Sequence, residues 1–318
     1  MAPDPIARLT TLRSPEARDG VRADAPERQS DFRESTFLTG LGRTTLEHLR
    51  STYHPLHYLR SKRWLYRLMK AGDIVLYRHL AELQIRVALR AVTHLSWVLG
   101  SELFEPQIRG LFARLLRSFD VKVFWDVGAN IGYYSWLVKH HSPNTSVVLF
   151  EPDPMLCNLI ERTINRNAIT DATLVQRAVS SQTGLAQFAL DEATSATGTL
   201  ETEPTFVETH FAMNVRRIQV QTTSIDDQIS QGFAAPDLIK IDVEGSEHKV
   251  FEGCGTLLRS APPIFVFECF DQGKKAQIAA LLTRHGYALE DAERCGASID
   301  CATNILAIPE GRTNTVRR

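Results

Sequence analysis

The sequence predicts an α/β fold: a doubly wound, mostly parallel sheet with an inserted β-hairpin and an N-terminal helical extension. Two observations carry this. From Val121 onward, short apolar runs of strand length (122–127, 146–150, 173–179, 238–243, 264–268 and 304–308) alternate with stretches of helical period (132–141, 154–167, 246–259 and 274–285). Alternation of this kind pairs strands in parallel, and near-continuous apolar strands belong in a sheet covered on both faces. The second observation is a break in the rhythm at 184–226. There, 187–190 and 217–221 alternate apolar and polar residues, as antiparallel strands do, and a polar loop joins them.

The N-terminal third reads differently. Residues 1–35 are rich in Pro, Arg, Asp and Ala, with too few apolar side chains to offset chain entropy, and predict a disordered tail. They contain no apolar core of a secretory signal. Residues 36–118 predict a helical extension. Between Leu59 and Leu99, apolar residues recur at spacings of three and four (Trp64, Leu65, Leu68, Met69, Leu80, Leu83, Val87). Arg60, Lys62, Arg63, Arg67, Lys70, Arg78, Arg86 and Arg90 fill the other face. That face suits a solvated helix surface, or one that meets anionic lipid or a phosphorylated substrate. Gly100 closes the region, and a further helix at 105–118 precedes the first strand. The α/β domain spans 119–310, and 311–318 is expected to be a flexible tail.

Composition bounds the function. The chain has 318 residues, 43% hydrophobic and 23% charged, with a net charge of −1. That is enough to build a core, and too little positive charge for a general nucleic-acid binder, whose affinity rests on neutralised phosphates. No run of 18 apolar residues predicts a membrane span, although peripheral contact stays open. The five cysteines (157, 254, 269, 295, 301) show neither CxxC nor Cys/His metal spacing. Reduced thiols in a cytoplasmic setting are the expectation, with a Cys295–Cys301 pair as the alternative.

Three elements carry chemistry. The first is FWDVGANIGYYS at 124–135, a buried strand that runs through a glycine turn into a helix. Gly128 and Gly132 allow backbone to approach a ligand closely, and the helix start offers unpaired N–H groups. The spacing GxxxG lacks the third glycine of the dinucleotide fingerprint, which disfavours a pyrophosphate. The second is VLFEPDP at 148–154, with Glu151 ending the next strand, where a carboxylate can accept from both ribose hydroxyls. Asp153, just before Pro154, also suits a helix N-cap. The third is DLIKIDVEGSE at 237–247. Here Asp242 and Glu244 end another strand and point the same way while the chain stays extended. They suit positioning or deprotonating an acceptor, or facing a cation, and capping is the alternative for one of them.

In this order, these elements resemble the FkbM family of S-adenosylmethionine (SAM)-dependent methyltransferases. RAVSSQTG at 177–184, TTSIDD at 222–227, LIKIDVEGSEHKVFEG at 238–253, IFVFECF and NILAIP add to the likeness, which covers about 103–309. The resemblance implies a class I methyltransferase (Rossmann-like) fold with seven strands, SAM as cofactor, and methylation of a sugar or natural-product hydroxyl. SAM carries an ammonium that Asp126 would pair with and a carboxylate that turn amides would hold. The implied cofactor set is Asp126, Gly128, Asn130, Gly132, Glu151 and Asp153, with Asn165, Ala178 and Val179 on the adenine side. Asp242 is the first candidate base and Glu244 the second. Glu268, on the same rim, and His210, in the inserted loop, would contact the acceptor. The pair Tyr133 and Tyr134 either contacts cofactor or acceptor, with Tyr134 the acceptor candidate, or one of the two packs on the sheet, and the SATGT loop at 195–199 either shapes the acceptor pocket or is plain solvent loop. No ligand spacing assigns a metal, and homo-oligomerisation stays open. The competing readings are an NAD-dependent oxidoreductase and a non-catalytic interaction module of the same fold. Residues 1–102 match no family motif.

Overall fold

The computed structural model describes residues 68–191, 198–200, 215–294 and 296–315, all within the compact unit Tyr53–Arg318. In chain order these form β1 (Val75–His79), β2 (Arg86–Arg90), α1 (Leu95–Gly100), α2 (Pro106–Ser118), β3 (Val123–Val127), α3 (Tyr133–His141), β4 (Ser146–Phe150) and α4 (Pro154–Asn167). There follow β5 (Ala172–Val175), β6 (Ala178–Val179), β7 (Gly184–Asp191), β8 (Gly198–Leu200), β9 (Val215–Thr223), α5 (Ile225–Ser230) and β10 (Leu238–Ile241). The chain continues through α6 (Glu247–Glu252), α7 (Gly255–Ser260), β11 (Ile264–Glu268), α8 (Gln272–Arg284), β12 (Tyr287–Asp291) and β13 (Asn304–Pro309).

The main sheet has seven strands in the order β12–β13–β11–β10–β3–β4–β5. Its pairs are parallel except those of β13, which runs antiparallel to both β11 and β12. Strand order reverses at β3, with β4 on one side and β10 on the other, so a crevice opens at their carboxyl ends. Alternate residues of each strand enter two separate cores. Phe124, Leu149, Leu238 and Val266 face α2, α3 and α4. Trp125, Phe150, Ile239, Phe265 and Phe267 face the helices that follow β9. Burial on both faces is why these strands read as near-continuous apolar runs.

Three expectations change. The region read as helical contains an antiparallel hairpin, β1–β2. Tertiary partners decide it. The Ala88 amide donates to Thr163 Oγ1 (2.9 Å), and Asn167 on α4 brackets Arg86, accepting from its amide and donating to its carbonyl (both 3.0 Å). Leu80, Leu83, Val87 and Leu89 are buried in the core with Leu159 and Ile160, each contributing roughly 1.5–3 kcal/mol. Helix α2 falls where the sequence placed it, and residues 36–67 lie outside the described residues.

Next, the run 173–179 splits. β5 stays in the main sheet, whereas β6 pairs with β9 in a second sheet of order β6–β9–β7–β8. The inserted hairpin is the antiparallel pair β7–β9, to which β8 and β6 are added. Last, the helix read at 246–259 is two helices, α6 and α7. A Cβ on Gly253 would sit 2.4 Å from the Ser180 carbonyl oxygen. The same junction is closed by the Asp226 amide donating to the Gly253 carbonyl (3.0 Å), while the Asp226 carboxylate accepts from the amides of Thr256 and Leu257 at the start of α7. Three of the sequence motifs therefore meet to hold the fold. Among the described residues, no helix is long and apolar enough to cross a membrane.

Candidate active site

The crevice at the strand switch holds a cleft of about 670 Å³, measured out to its open mouth. One wall is the turn after β3 (Gly128, Asn130) together with Glu151, Pro152, Asp153 and Leu156. The opposite wall is Asp242, Val243 and Glu244 after β10. Arg177, Ala178 and Val179 lie at one end, and Phe188, Leu190, Gly198 and Leu200 of the second sheet line the cleft with their apolar side.

The glycine turn is built by close backbone approach. Gly128 has φ +79°, and a Cβ there would lie 1.8 Å from the Asp242 carbonyl oxygen. No other residue lets the two walls come this near. The Gly128 and Ala129 amides both donate to the Phe150 carbonyl (3.0 Å each). Asn130 also takes a positive φ, +53°, which turns its amide onto Glu151 Oε2 (2.8 Å). Glu151 Oε1 accepts from the Asp153 amide (2.9 Å). Backbone donors thus hold this carboxylate in place, and burial raises it to about 8. Asp153 caps α4 by accepting from the Met155 amide (2.8 Å), and it lines the cleft as well.

The acidic wall has a different chemistry. Asp242 forms an ion pair with Lys240 (3.2 Å), whose side chain is 1% exposed. Burial works against the Lys240 ammonium, but Asp242, then Glu268 and Glu105, outweigh it and hold the group well above the usual lysine range. The Tyr134 ring lies 5.3 Å from Lys240 Nζ, and the Tyr134 hydroxyl donates to Glu105 Oε2. Glu244 is in the left-handed region, φ +53°, and is half-buried. Burial, then the charges of Asp242 and Glu247, push its carboxyl well above the usual range. Glu268 is shifted the same way by burial and Asp242.

The structure brings together Gly128, Asn130, Glu151, Asp153, Val179, Asp242 and Glu244 around one cleft. It places the other expected residues elsewhere. Asp126 is sealed beneath the turn, with Oδ2 accepting from the Ser135 amide (3.0 Å) and hydroxyl (2.7 Å), so it caps the start of α3 and is not a cleft-wall group. Burial raises it to about 7. Gly132, φ +80°, leaves room for the Trp136 indole, which would lie 2.7 Å from an added Cβ. Asn165 is exposed on the last turn of α4. At 1.5 Å per residue, that turn is about 16 Å from the cleft end of the helix. Tyr134 packs against Phe112 behind Lys240, and Glu268 faces Lys240 from β11. His210, Cys295 and most of the loop at 195–199 lie outside the described residues. The other four cysteines are free. Among the described residues, no group of His, Cys, Asp or Glu is placed to hold a metal ion.

Sequence reasoning missed Lys240 and Glu105. Lys240 carries a signal: a lysine inside the apolar strand LIKI must be paired if buried. Glu105 carries none, because only the fold brings it to Lys240.

The family model for the methyltransferase FkbM domain matches residues 126–289. Methyltransferase sdnD of Sordaria araneosa is 26% identical over 186 residues, 51% of this chain and 72% of that protein. Hexuronic acid methyltransferase AglP of Haloferax volcanii is 27% identical over 148 residues, 45% of this chain; the chain spans 54% of that relative's length. Among solved structures, a methyltransferase FkbM from Methylobacillus flagellatus aligns with 17% identity and a TM-score of 0.40, over 59% of this chain and 43% of that one. An O-methyltransferase from Bacillus cereus in complex with SAH aligns with 12% identity and a TM-score of 0.39, over 65% and 82%. The family match takes in just over half of the chain and both walls of the cleft: the chain belongs to the FkbM methyltransferase family.

Proposed function

We propose that the protein transfers a methyl group from SAM to a hydroxyl of a small-molecule or glycan acceptor. The observation that carries this is the cleft with two unlike acidic walls. Glu151 is held by backbone amides beside a glycine turn, which suits a ribose without a pyrophosphate. Asp242 and Glu244 follow β10, on the other side of β3 from Glu151, where the acceptor would arrive.

In this reading Gly128, Asn130, Glu151, Asp153 and Val179 contact the cofactor. Asp126 and Gly132 act from behind by fixing the turn and α3, and Asn165 drops out. SAM supplies an already activated leaving group, so orientation does much of the work. The acceptor hydroxyl must still lose its proton. In this reading Asp242 takes it, directly or through a water, and Glu244 is the alternative. Glu268, Tyr134 and His210 remain proposals for acceptor contact, with Tyr134 the least suited because it packs behind Lys240.

Calorimetry with SAM and its demethylated product SAH tests the cofactor, with micromolar affinity expected. No binding at millimolar ligand would sink the reading. Reduced nicotinamide should show no fluorescence change on mixing. A methyl-donor assay across sugars, glycolipids and polyketides, read by mass spectrometry, then finds the acceptor and separates oxygen from nitrogen methylation.

A further inference from the structure

We propose that Glu105, Tyr134 and Lys240 form a positioning chain that ties the segment ahead of the family domain to Asp242 on the cleft wall. Lys240 sets where the Asp242 carboxylate points. The inference rests on the reading of Asp242 as the group that meets the acceptor.

The geometry of the chain is continuous. Glu105 lies outside the matched segment 126–289, at the N-cap of α2, in the left-handed region with φ +38° and ψ 56°. A non-glycine residue held there costs of order 1–3 kcal/mol, so the surrounding structure must fix it. Its side chain does not cap the helix but accepts from the Tyr134 hydroxyl. The Tyr134 ring in turn lies against Lys240 Nζ, and Lys240 Nζ reaches Asp242 Oδ2. Each link changes element: α2, α3, β10 and the turn beyond it.

Charge explains why the chain holds. The groups that face Lys240 are Asp242 on its own strand, Glu268 on β11, Glu105 ahead of α2, Asp126 on β3 and Glu244 in the following turn. One ammonium lies among five carboxyls, in a place where unscreened like charges repel strongly. Removing that ammonium leaves the carboxyls to repel one another, and Asp242 loses its ion-pair partner.

The test uses the full chain with 13C-labelled Asp and Glu, and follows the side-chain carboxyl resonances of Glu244 and Glu268 against pH. They are assigned with Glu244→Gln and Glu268→Gln. In Lys240→Met both titrations should move up by about one pH unit or more. In Glu105→Gln, which removes a like charge, both should move down. Lys240→Arg keeps the cation and should leave them within about half a unit of wild type. With the acceptor returned by the methyl-donor assay, Lys240→Met should lower kcat at least tenfold and change KM less than threefold, and Lys240→Arg should recover part of kcat. SAH affinity, read by calorimetry, should stay within threefold in all three variants. Titrations that do not move in Lys240→Met, or in Glu105→Gln should the methionine variant fail to fold, overturn the proposal. So does a kcat loss that Lys240→Arg does not relieve at all. Wild-type protein that fails to bind SAH sinks the cofactor reading, while the titrations still decide this one.

Discussion

The two acidic walls of the cleft are held by opposite means. Glu151 has no salt bridge among the described residues and is fixed by two backbone amides, those of Asn130 and Asp153. Asp242 is fixed by a buried ammonium that is itself shared among several carboxyls. Backbone donors define a position and are indifferent to neighbouring charges, which suits recognition of an unchanging part of a ligand. A shared ammonium responds to every proton that enters or leaves, which suits the side where a proton must move.

Substitutions should separate the walls. The largest effect is expected from Asp242→Asn, which keeps the shape and removes the proton acceptor. It should cut kcat by about 10²–10⁴ with SAH affinity unchanged in calorimetry. An unaltered kcat would remove Asp242 from catalysis. Gly128→Ala comes next, because it breaks both walls at once: its Cβ meets the Asp242 carbonyl, and φ is positive. A loss of about 3 kcal/mol or more in urea unfolding is expected. Glu151→Gln should weaken SAH binding by roughly 10- to 100-fold, the worth of charge-assisted hydrogen bonds, and spare kcat at saturating cofactor.

Glu151 also sets a pH dependence. Its carboxyl is raised by burial from 4.5 to about 8 in the folded chain. Between those values the folded state keeps a proton that the unfolded state has lost, so stability contributed by this group is full below about 4.5 and falls as pH rises to about 8. The urea midpoint of Glu151→Gln should therefore decline less than that of wild type between pH 5 and 8. SAH affinity should run the other way in wild type, rising as pH approaches 8, because the ionised carboxylate is the better acceptor for ribose hydroxyls. The smallest effect belongs to Asn165→Ala, which should leave SAH affinity within twofold.

How far the sequence speaks depends on whether a residue's partner is near in sequence. The glycine turn, Glu151 and the DVEG strand end were legible because a strand, a turn and a helix in succession fix them locally. The split of 173–179 between two sheets was not, since β6 answers to β9, more than thirty residues on. The hairpin β1–β2 has a helix-compatible period, and only Thr163 and Asn167 on α4 show why it is extended. Asp126 reads as a cleft residue by motif, yet its carboxylate is turned inward onto Ser135, a choice that depends on rotamer and packing. Lys240 was visible as an oddity, and Glu105 was invisible.

The antiparallel strand β13 bears on how small a working piece of this enzyme can be. The family match runs from 126 to 289, beginning inside β3 and ending inside β12. A clone trimmed to those limits would delete β13, which lies between β11 and β12 and is hydrogen-bonded to both. Phe265 and Phe267 would then stand on an open edge with unpaired backbone, a ready template for aggregation. Loss of α2 would also strip Leu111 and Phe112 from the core and uncover Phe124 and Tyr134. A soluble fragment must therefore reach at least from the hairpin, near residue 73, to residue 309, well beyond the stretch by which the family is recognised.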